Sequence, residues 1–270
     1  QGVDNDSVNW GWLCDKGRFG FEATNSESRL QAPAVRSGDG FTTVGWNDAL
    51  DQATTLIKAA IASGGASSVG VIGGARGTNE DAFAWARLAH DVIGTPHVYA
   101  QLGDGLRTEV LDLPRATINE AASATTIVLL GPDLKEELPV LYLRLRDAAE
   151  KKRSRILEFS PRRTGLSKYA WKSVISRPGD EVEAVRQALT DPEITAQLGK
   201  GNVVVVAGKA NLATLGTLQT DALLRILGAA PGAKVLPAFR RGNVVGALQL
   251  GMTPGSGGKD RKSTRLNSSH

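Results

Sequence analysis

Three groups of residues in this 270-residue chain have types and spacing suited to chemistry. The first surrounds the single cysteine, in Trp12-Leu-Cys14-Asp-Lys16-Gly17-Arg18. A lone cysteine is usually a small buried hydrophobe. Cys14, however, lies among polar residues without apolar periodicity. Lys16 and Arg18 place positive charge beside it, which favours the thiolate, the form that ligates metal. One thiolate does not hold a cluster, so if Cys14 is a ligand its partners lie outside this sequence. The second group is Gly73-Gly74-Ala-Arg76-Gly77-Thr78, between a short apolar run and a helical pattern. Amides at such a helix start can cradle a phosphate. The loop is neither G-x-G-x-x-G nor a Walker loop, and sharp strand-to-helix turns use glycine without any ligand. The third is Glu158 followed by Ser-Pro-Arg162-Arg163, at the carboxyl end of a strand, where open α/β sheets bind ligands. A carboxylate there can bind a ribose or a base edge and the arginines a phosphate, although adjacent arginines on a loop are more often solvated charge. His90 and His97 lack the cysteine or carboxylate spacing of a metal site. No Ser/His/Asp logic, H-E-x-x-H motif or basic–aromatic interleaving is present.

The elements that must position these groups follow from periodicity. Ala49, Ala53, Leu56, Ile57, Ala60 and Ile61 fall on one helical face that Gly64-Gly65 ends. Val69–Ile72 is a short buried strand. Thr78 with Asp81 at N3 predicts a capping box opening a helix through about Ile93. The alternation then repeats. Thr125–Leu130 is an apolar strand, and Pro139 suits a first helical turn whose stripe is Leu138, Leu141, Tyr142, Leu145 and Ala149. Arg155–Phe159 is a strand, Asp180–Leu189 a helix, Asn202–Ala207 a strand and Leu218–Leu227 a helix with Gly228 as its C-cap. Strands alternating with helices, and apolar on both faces, specify an α/β fold with a largely parallel sheet. Residues 1–45 are rich in Asn, Asp, Gly and Ser and read as a loop-rich module, and no internal repeat is evident.

The chain starts at Gln1, which reads as an incomplete N-terminus. Residues 260–270 match the translation of a common sequencing adapter and, with Lys259, are set aside as an artefact. Residues 260–270 carry Arg261, Lys262 and Arg265 against Asp260, half of the net charge of +4. The rest is close to neutral, so charge gives no case for nucleic acid as a partner. No apolar run is long enough for a membrane span. One cysteine excludes an intrachain disulfide framework and fits a reducing compartment.

Taken together, Val8-Asn-Trp-Gly-Trp-Leu-Cys14-Asp-Lys16-Gly17-Arg18-Phe19, Gly73-Gly-Ala-Arg76-Gly77-Thr78-Asn-Glu80, Leu130-Gly-Pro-Asp-Leu-Lys-Glu-Glu-Leu-Pro139 and Arg241-Gly-Asn-Val-Val-Gly-Ala-Leu-Gln-Leu-Gly251 carry a resemblance. They resemble the molybdopterin oxidoreductase superfamily, and within it the large iron–sulfur subunits of bacterial complex I (the G-type subunits of NADH-quinone oxidoreductase). The similarity covers nearly all of 1–258. It implies two parallel-sheet α/β lobes, the second inserted into the first, after a small truncated iron–sulfur module at 1–45. The first lobe is expected from 46–120 plus 200–258 and the inserted one from 121–199. By the same resemblance Cys14 matches the fourth ligand of a [4Fe-4S] cluster, the other three preceding Gln1. Lys16 matches the lysine between cluster and pterin where a pterin is bound. Gly73, Gly74, Arg76, Gly77, Thr78, Glu158 and Arg162 become a vestigial cofactor loop set. Catalytic relatives carry a cysteine, selenocysteine or serine on molybdenum beyond the Gly-rich loop. Gln101-Leu-Gly-Asp-Gly-Leu-Arg107 has none, which disfavours molybdopterin guanine dinucleotide chemistry.

The resemblance therefore implies part of an electron-transfer subunit relaying electrons from NADH to quinone through iron–sulfur clusters. It would be peripheral, on the cytoplasmic side of the bacterial inner membrane, with other subunits of the complex I peripheral arm as partners. Such a relay needs closely spaced redox centres rather than an acid/base pair, and the chain alone is expected to be inactive. Two other readings stand beside it: a molybdopterin-dependent enzyme of the formate dehydrogenase kind, and a non-redox scaffold of the same fold.

Overall fold

The computed structural model describes residues 3–100, 108–151, 153–210 and 215–252. Two short helices, α1 (Asp15–Phe19) and α2 (Phe21–Thr24), precede an antiparallel hairpin of β1 (Ala34–Ser37) and β2 (Gly40–Thr43). The long helix α3 (Trp46–Gly64) leads to β3 (Val71–Ile72), α4 (Asn79–Arg87) and β4 (Val98–Tyr99). Next come α5 (Ile118–Ser123), β5 (Thr126–Leu130), α6 (Leu134–Glu137), α7 (Pro139–Glu150) and β6 (Arg155–Ser160). The described chain ends with β7 (Lys172–Ile175), α8 (Glu181–Ala188), α9 (Pro192–Leu198), β8 (Val203–Ala207), α10 (Gly216–Ala229), β9 (Lys234–Pro237) and α11 (Val244–Gln249).

The last five strands form one parallel sheet in the order β7-β6-β5-β8-β9. Strand β5 pairs along its whole length with β6 on one side and β8 on the other. Alternate residues divide between two cores, as the two-residue repeat of a strand requires. Val128, Leu130, Leu157, Phe159, Val203 and Val205 pack with Val185, Ile194, Leu198, Leu223 and Ile226 of α8, α9 and α10. Ile127, Leu129, Ile156, Val204 and Val206 pack with Ala121, Leu141, Leu145 and Ala148 of α5 and α7. Burial on both faces is why these strands are continuous apolar runs in the sequence.

By internal contacts, the described residues 3–18 and 108–240 make one compact unit, and 19–100 with 241–252 another. The expected lobe boundaries are corrected accordingly. Residues 203–237 belong to the same sheet as 126–175, because Val203–Ala207 zips onto β5 with every residue buried. The stretch 108–120 also joins this unit: Ala116 N–H donates to the Val235 carbonyl at 2.9 Å. The expected 1–45 module divides between the two units at Arg18. The proposed artefact at 259–270 lies outside the described residues.

Local expectations fare unevenly. Both halves of the Thr78–Asp81 capping box are made, and Pro139 sits in the first turn of α7. The helix expected through Ile93 is α4 followed by a π-helical turn, Leu88–Ile93, closed by Gly94 at φ 77°. Gly228 is no C-cap: α10 runs through Ala229. The buried stripe Ala222, Leu223, Ile226, Ala230 carries the helix past Gly228, a packing gain that outweighs the roughly 1 kcal/mol cost of a helical glycine.

Candidate functional site

Cys14 is half-buried at the head of α1, its carbonyl accepting from Arg18 N–H at 2.8 Å. The turn before it is tightly bonded. The Asn9 side-chain oxygen accepts from Asn5 N–H at 3.0 Å and Gly11 N–H at 2.9 Å, and its amide donates to the Val3 carbonyl at 3.0 Å. Trp12 N–H donates to the Asn9 carbonyl at 2.8 Å. Trp10 (φ 51°) and Gly11 (φ 75°) are both left-handed, and Trp10 is the sole non-glycine with positive φ among the described residues. The Trp10 and Trp12 rings meet edge to face, with centroids 5.9 Å apart.

This turn is gripped from α7. Arg144 is 2% exposed. Its Nη1 donates to the carbonyls of Asp6 at 3.0 Å and Val8 at 3.2 Å, its Nη2 donates to Asn119 Oδ1, and its guanidinium lies 4.1 Å from the Trp10 ring centroid. Burial pushes the Arg144 pKa down, against the opposing charges of Asp147 and Asp6. Sequence reading missed Arg144, although a signal existed: an arginine inside the stripe Leu141, Leu145, Ala148.

Lys16 is exposed on α1. Among the described residues, no three His, Cys, Asp or Glu side chains come together as a metal site. With one cysteine in the sequence, this chain supplies one cluster thiolate at most.

The Gly73–Thr78 loop is occupied by its own chain. Thr78 Oγ1 accepts from Asp81 N–H at 3.2 Å, and Asp81 Oδ2 accepts from Thr78 N–H at 2.9 Å. Asn243 N–H donates to the Ala75 carbonyl at 2.9 Å, and its side-chain amide donates to Gly77 O at 3.1 Å and Asn79 Oδ1 at 3.0 Å. A Cβ on Gly73 would lie 2.5 Å from Met252 Cε, so that space is filled, while Arg76 is exposed. Glu80 and Asp81 place carboxylates in the first turn of α4. A phosphate at this helix start would meet like charge where it needs free amides. These residues do not fit a phosphate-bearing cofactor.

Glu158 is also turned inward, on the α7 side of β6. It is 1% exposed and accepts hydrogen bonds from Ser167 Oγ at 2.6 Å, Ser173 Oγ at 2.9 Å and Thr164 Oγ1. The carboxylate ties β6 to β7 and to the intervening loop, and is spoken for. Arg162 points outward, 4.0 Å from Asp133 Oδ2, and Arg163 is exposed. Leu130, Gly131, Ser160, Ser176, Arg177 and Gln219 line a cleft at the carboxyl ends of the strands. Its floor is the switch point between β5 and β8, where Gly208 N–H donates to the Leu130 carbonyl at 2.9 Å. A Cβ on Gly131 would come within 2.9 Å of Gly208 N. Gln219 Nε2 bridges the carbonyls of Leu130 at 2.8 Å and Gly208 at 2.7 Å, while its Oε1 is buried without a partner. The signal for Gln219 was again a polar residue within an apolar helical stripe. The expected gap at Gln101–Arg107 lies outside the described residues.

Comparison with known proteins adds three findings. The family described as molybdopterin oxidoreductase matches residues 29–190. The chain is 27% identical to the NADPH-Fe(3+) oxidoreductase subunit alpha of Geobacter sulfurreducens, over 93% of this chain and 36% of that protein. It is 30% identical to the G-type subunit of the NADH-quinone oxidoreductase of Streptomyces coelicolor, over 93% of this chain and 33% of that protein. The chain thus spans about a third of the curated relatives it matches. In structure it is similar to acetylene hydratase from Pelobacter acetylenicus, with a TM-score of 0.56 and 14% identity over 93% of this chain and 38% of that one, a likeness of fold. No described helix is long and apolar enough to cross a membrane.

Proposed function

Because the chain belongs to the molybdopterin oxidoreductase family, we propose that it is part of a redox subunit of the NADH-quinone oxidoreductase G type, in which Cys14 supplies one ligand of a [4Fe-4S] cluster. The other three thiolates come from elsewhere in the parent protein. The α/β body serves as a structural carrier rather than as a molybdenum active site. The observation that carries this reading is the setting of Cys14: the single thiol in the sequence, half-buried on a turn fixed by Asn9 and Arg144. A thiolate ligand needs such a fixed backbone, because cluster ligation depends on geometry as well as on donor type.

Two features support the carrier role. In the Gly73–Thr78 loop the Thr78 N–H donates to Asp81 and the Ala75 and Gly77 carbonyls accept from Asn243, while Glu158 spends its oxygens on three hydroxyls. Neither Lys16 nor Arg162 is drawn into a pocket. In the parent, the partners would be the remaining subunits of a peripheral arm on the cytoplasmic side of the membrane, passing electrons from NADH toward quinone.

The deciding experiment uses the full-length parent protein. Cys14→Ser should remove or reshape one electron paramagnetic resonance signal and lower the iron content, with no molybdenum or tungsten in the wild type. Iron content and spectrum unchanged by the substitution would overturn the ligand assignment. Stoichiometric molybdenum or tungsten would overturn the carrier role and favour an enzyme of the formate dehydrogenase kind.

A further inference from the structure

We infer that Arg144 is a positioning residue: from α7 it holds the Trp10–Gly11 turn and so fixes where the Cys14 thiol is presented. This inference deepens the proposed role of Cys14 and rests on it for its purpose, while its test reads the turn and the thiol directly.

The first support is where Arg144 sits. It shares the inward face of α7 with Leu141, Leu145 and Ala148, which pack against the sheet. A buried guanidinium carries a desolvation cost that an apolar side chain of similar size would avoid. Its Nε is buried without a partner, so even the bonds it makes leave it incompletely satisfied. The stability of the sheet therefore does not explain an arginine here.

The second support is what Arg144 touches. Apart from Asn119, the partners of its Nη1, Nη2 and ring face all lie on the segment leading to Cys14: the Asp6 carbonyl, the Val8 carbonyl and the Trp10 ring. Three contacts within five residues define the path of that segment. The planar fork and stacking face of arginine allow all of them at once, which a lysine ammonium does not.

The third support is the backbone of the turn. A bulky residue with left-handed φ is a conformational outlier that persists only when its surroundings impose it. Trp10 is in that state, and the group stacked on its ring is Arg144. The turn then passes through Gly11, where a Cβ would lie 2.8 Å from Asp4 Oδ1, and through Trp12 to Cys14. Strain upstream of the thiol, imposed by a residue with no evident structural need, has the form of a positioning device.

The test compares wild type with Arg144→Met in the 270-residue chain, by hydrogen exchange and by the rate of Cys14 alkylation. Asp6, Val8 and Asn119 are accessible at the surface at least in part, so their freed acceptors can turn to water, and Arg144→Met should leave the sheet as stable as before or more so. Exchange of the amides between Asn5 and Trp12 should accelerate about tenfold or more, as expected for a segment released to local opening. Cys14 alkylation should accelerate severalfold, while protection in β5, β6 and β8 stays unchanged. Arg144→Lys should restore part of both effects. Trp10→Leu and Asn119→Ala cut the same grip without altering α7, and they decide the matter if Arg144→Met fails to fold. Turn exchange and alkylation rates that remain at wild-type values in the folded variants would overturn the inference. That result is distinct from failure of the cluster assignment, which is read by iron content in Cys14→Ser.

Discussion

The two units of this chain begin from the same sequence grammar and end in different physical states. In the unit built on β5–β9, the central strands β5, β6 and β8 bury both faces between helices, and the large side chains Ile127, Leu145, Ile156, Leu157 and Leu223 are sealed from water. In the unit built on β3 and β4, the β3–β4 sheet is two strands pairing over two residues, and nearly half of the unit's buried residues are alanines. Helix α3 is nineteen residues long and amphipathic, yet no residue on it is buried; Leu56 is 64% exposed and Ile72 of β3 is 69% exposed. A strand–glycine–helix pattern specifies the elements, but a core forms only where enough apolar partners face one another. The difference teaches that the segment leading to Cys14 is anchored to the densely packed unit, through Arg144.

The most direct way to break this comparison is to truncate one leucine in each unit. Leu145→Ala should cost about 2–5 kcal/mol, the range for a fully buried leucine that leaves a cavity. Leu56→Ala should change stability by no more than about 0.5 kcal/mol, as for an exposed site. Urea unfolding of both variants checks the pair, and comparable losses would show that α3 is packed after all. The same contrast is expected in native-state exchange, with β5 and β8 amides opening only on global unfolding and those of β3 and β4 opening locally.

A smaller effect separates the polar ties of the two units. Glu158→Ala removes the acceptor shared by Thr164, Ser167 and Ser173 in the densely packed unit. Glu158 itself is buried, and loss of its three hydrogen bonds should cost about 1–3 kcal/mol. Asn243→Ala unlatches the Gly73–Gly77 loop in the other unit, where solvent is close at hand, and should cost about 1 kcal/mol. Thermal or denaturant midpoints measure both. An Asn243→Ala loss as large as that of Glu158→Ala would mean that the loop is a folding element of its unit rather than a local latch.

What the sequence made legible was local. Continuous apolar runs gave β5 and β8, and Thr78 with Asp81 gave the start of α4, because each depends on neighbours a few residues away. The lobe boundary was not legible. Val203–Ala207 is apolar on both faces and satisfies either sheet, and only its pairing with Thr126–Leu130 assigns it. The role expected for Glu158 rested on its place at a strand end. Its actual partners come from the following loop and from β7, which a linear reading does not bring together. Arg144 and Gln219 were signalled by type, as polar residues within apolar stripes, but their partners at Asp6, Val8, Leu130 and Gly208 are far away in sequence. Cys14 stood out by its uniqueness, while the turn that holds it depends on a helix some 130 residues later.

The smallest expected effect concerns acid, and it too belongs to the densely packed unit. Glu120 in α5 receives a hydrogen bond from Lys234 of β9 at 2.6 Å and one from Thr117 N–H at 2.7 Å. Lys234 first, and Thr117 after it, hold the Glu120 carboxyl down at about 2, against an ordinary value of 4.5. A carboxyl with a depressed folded pKa binds its proton more readily when unfolded, so the stability it contributes is complete above 4.5 and is lost as pH falls toward about 2. Both side chains are more than 40% exposed, so the contribution is screened by solvent and should shrink further in high salt. Glu183 is likewise held at about 2, chiefly by Arg186, but that pair lies within α8 and ties no two elements together. Glu120→Gln should therefore flatten the fall in unfolding midpoint between pH 4.5 and about 2, and speed exchange at neutral pH only in β9 and α5. An unchanged acid slope would mean that the Glu120–Lys234 tie contributes nothing in solution, and acid sensitivity of this unit would then have to come from Glu183, Asp147 and Asp191, whose carboxyls are also held low by cationic partners.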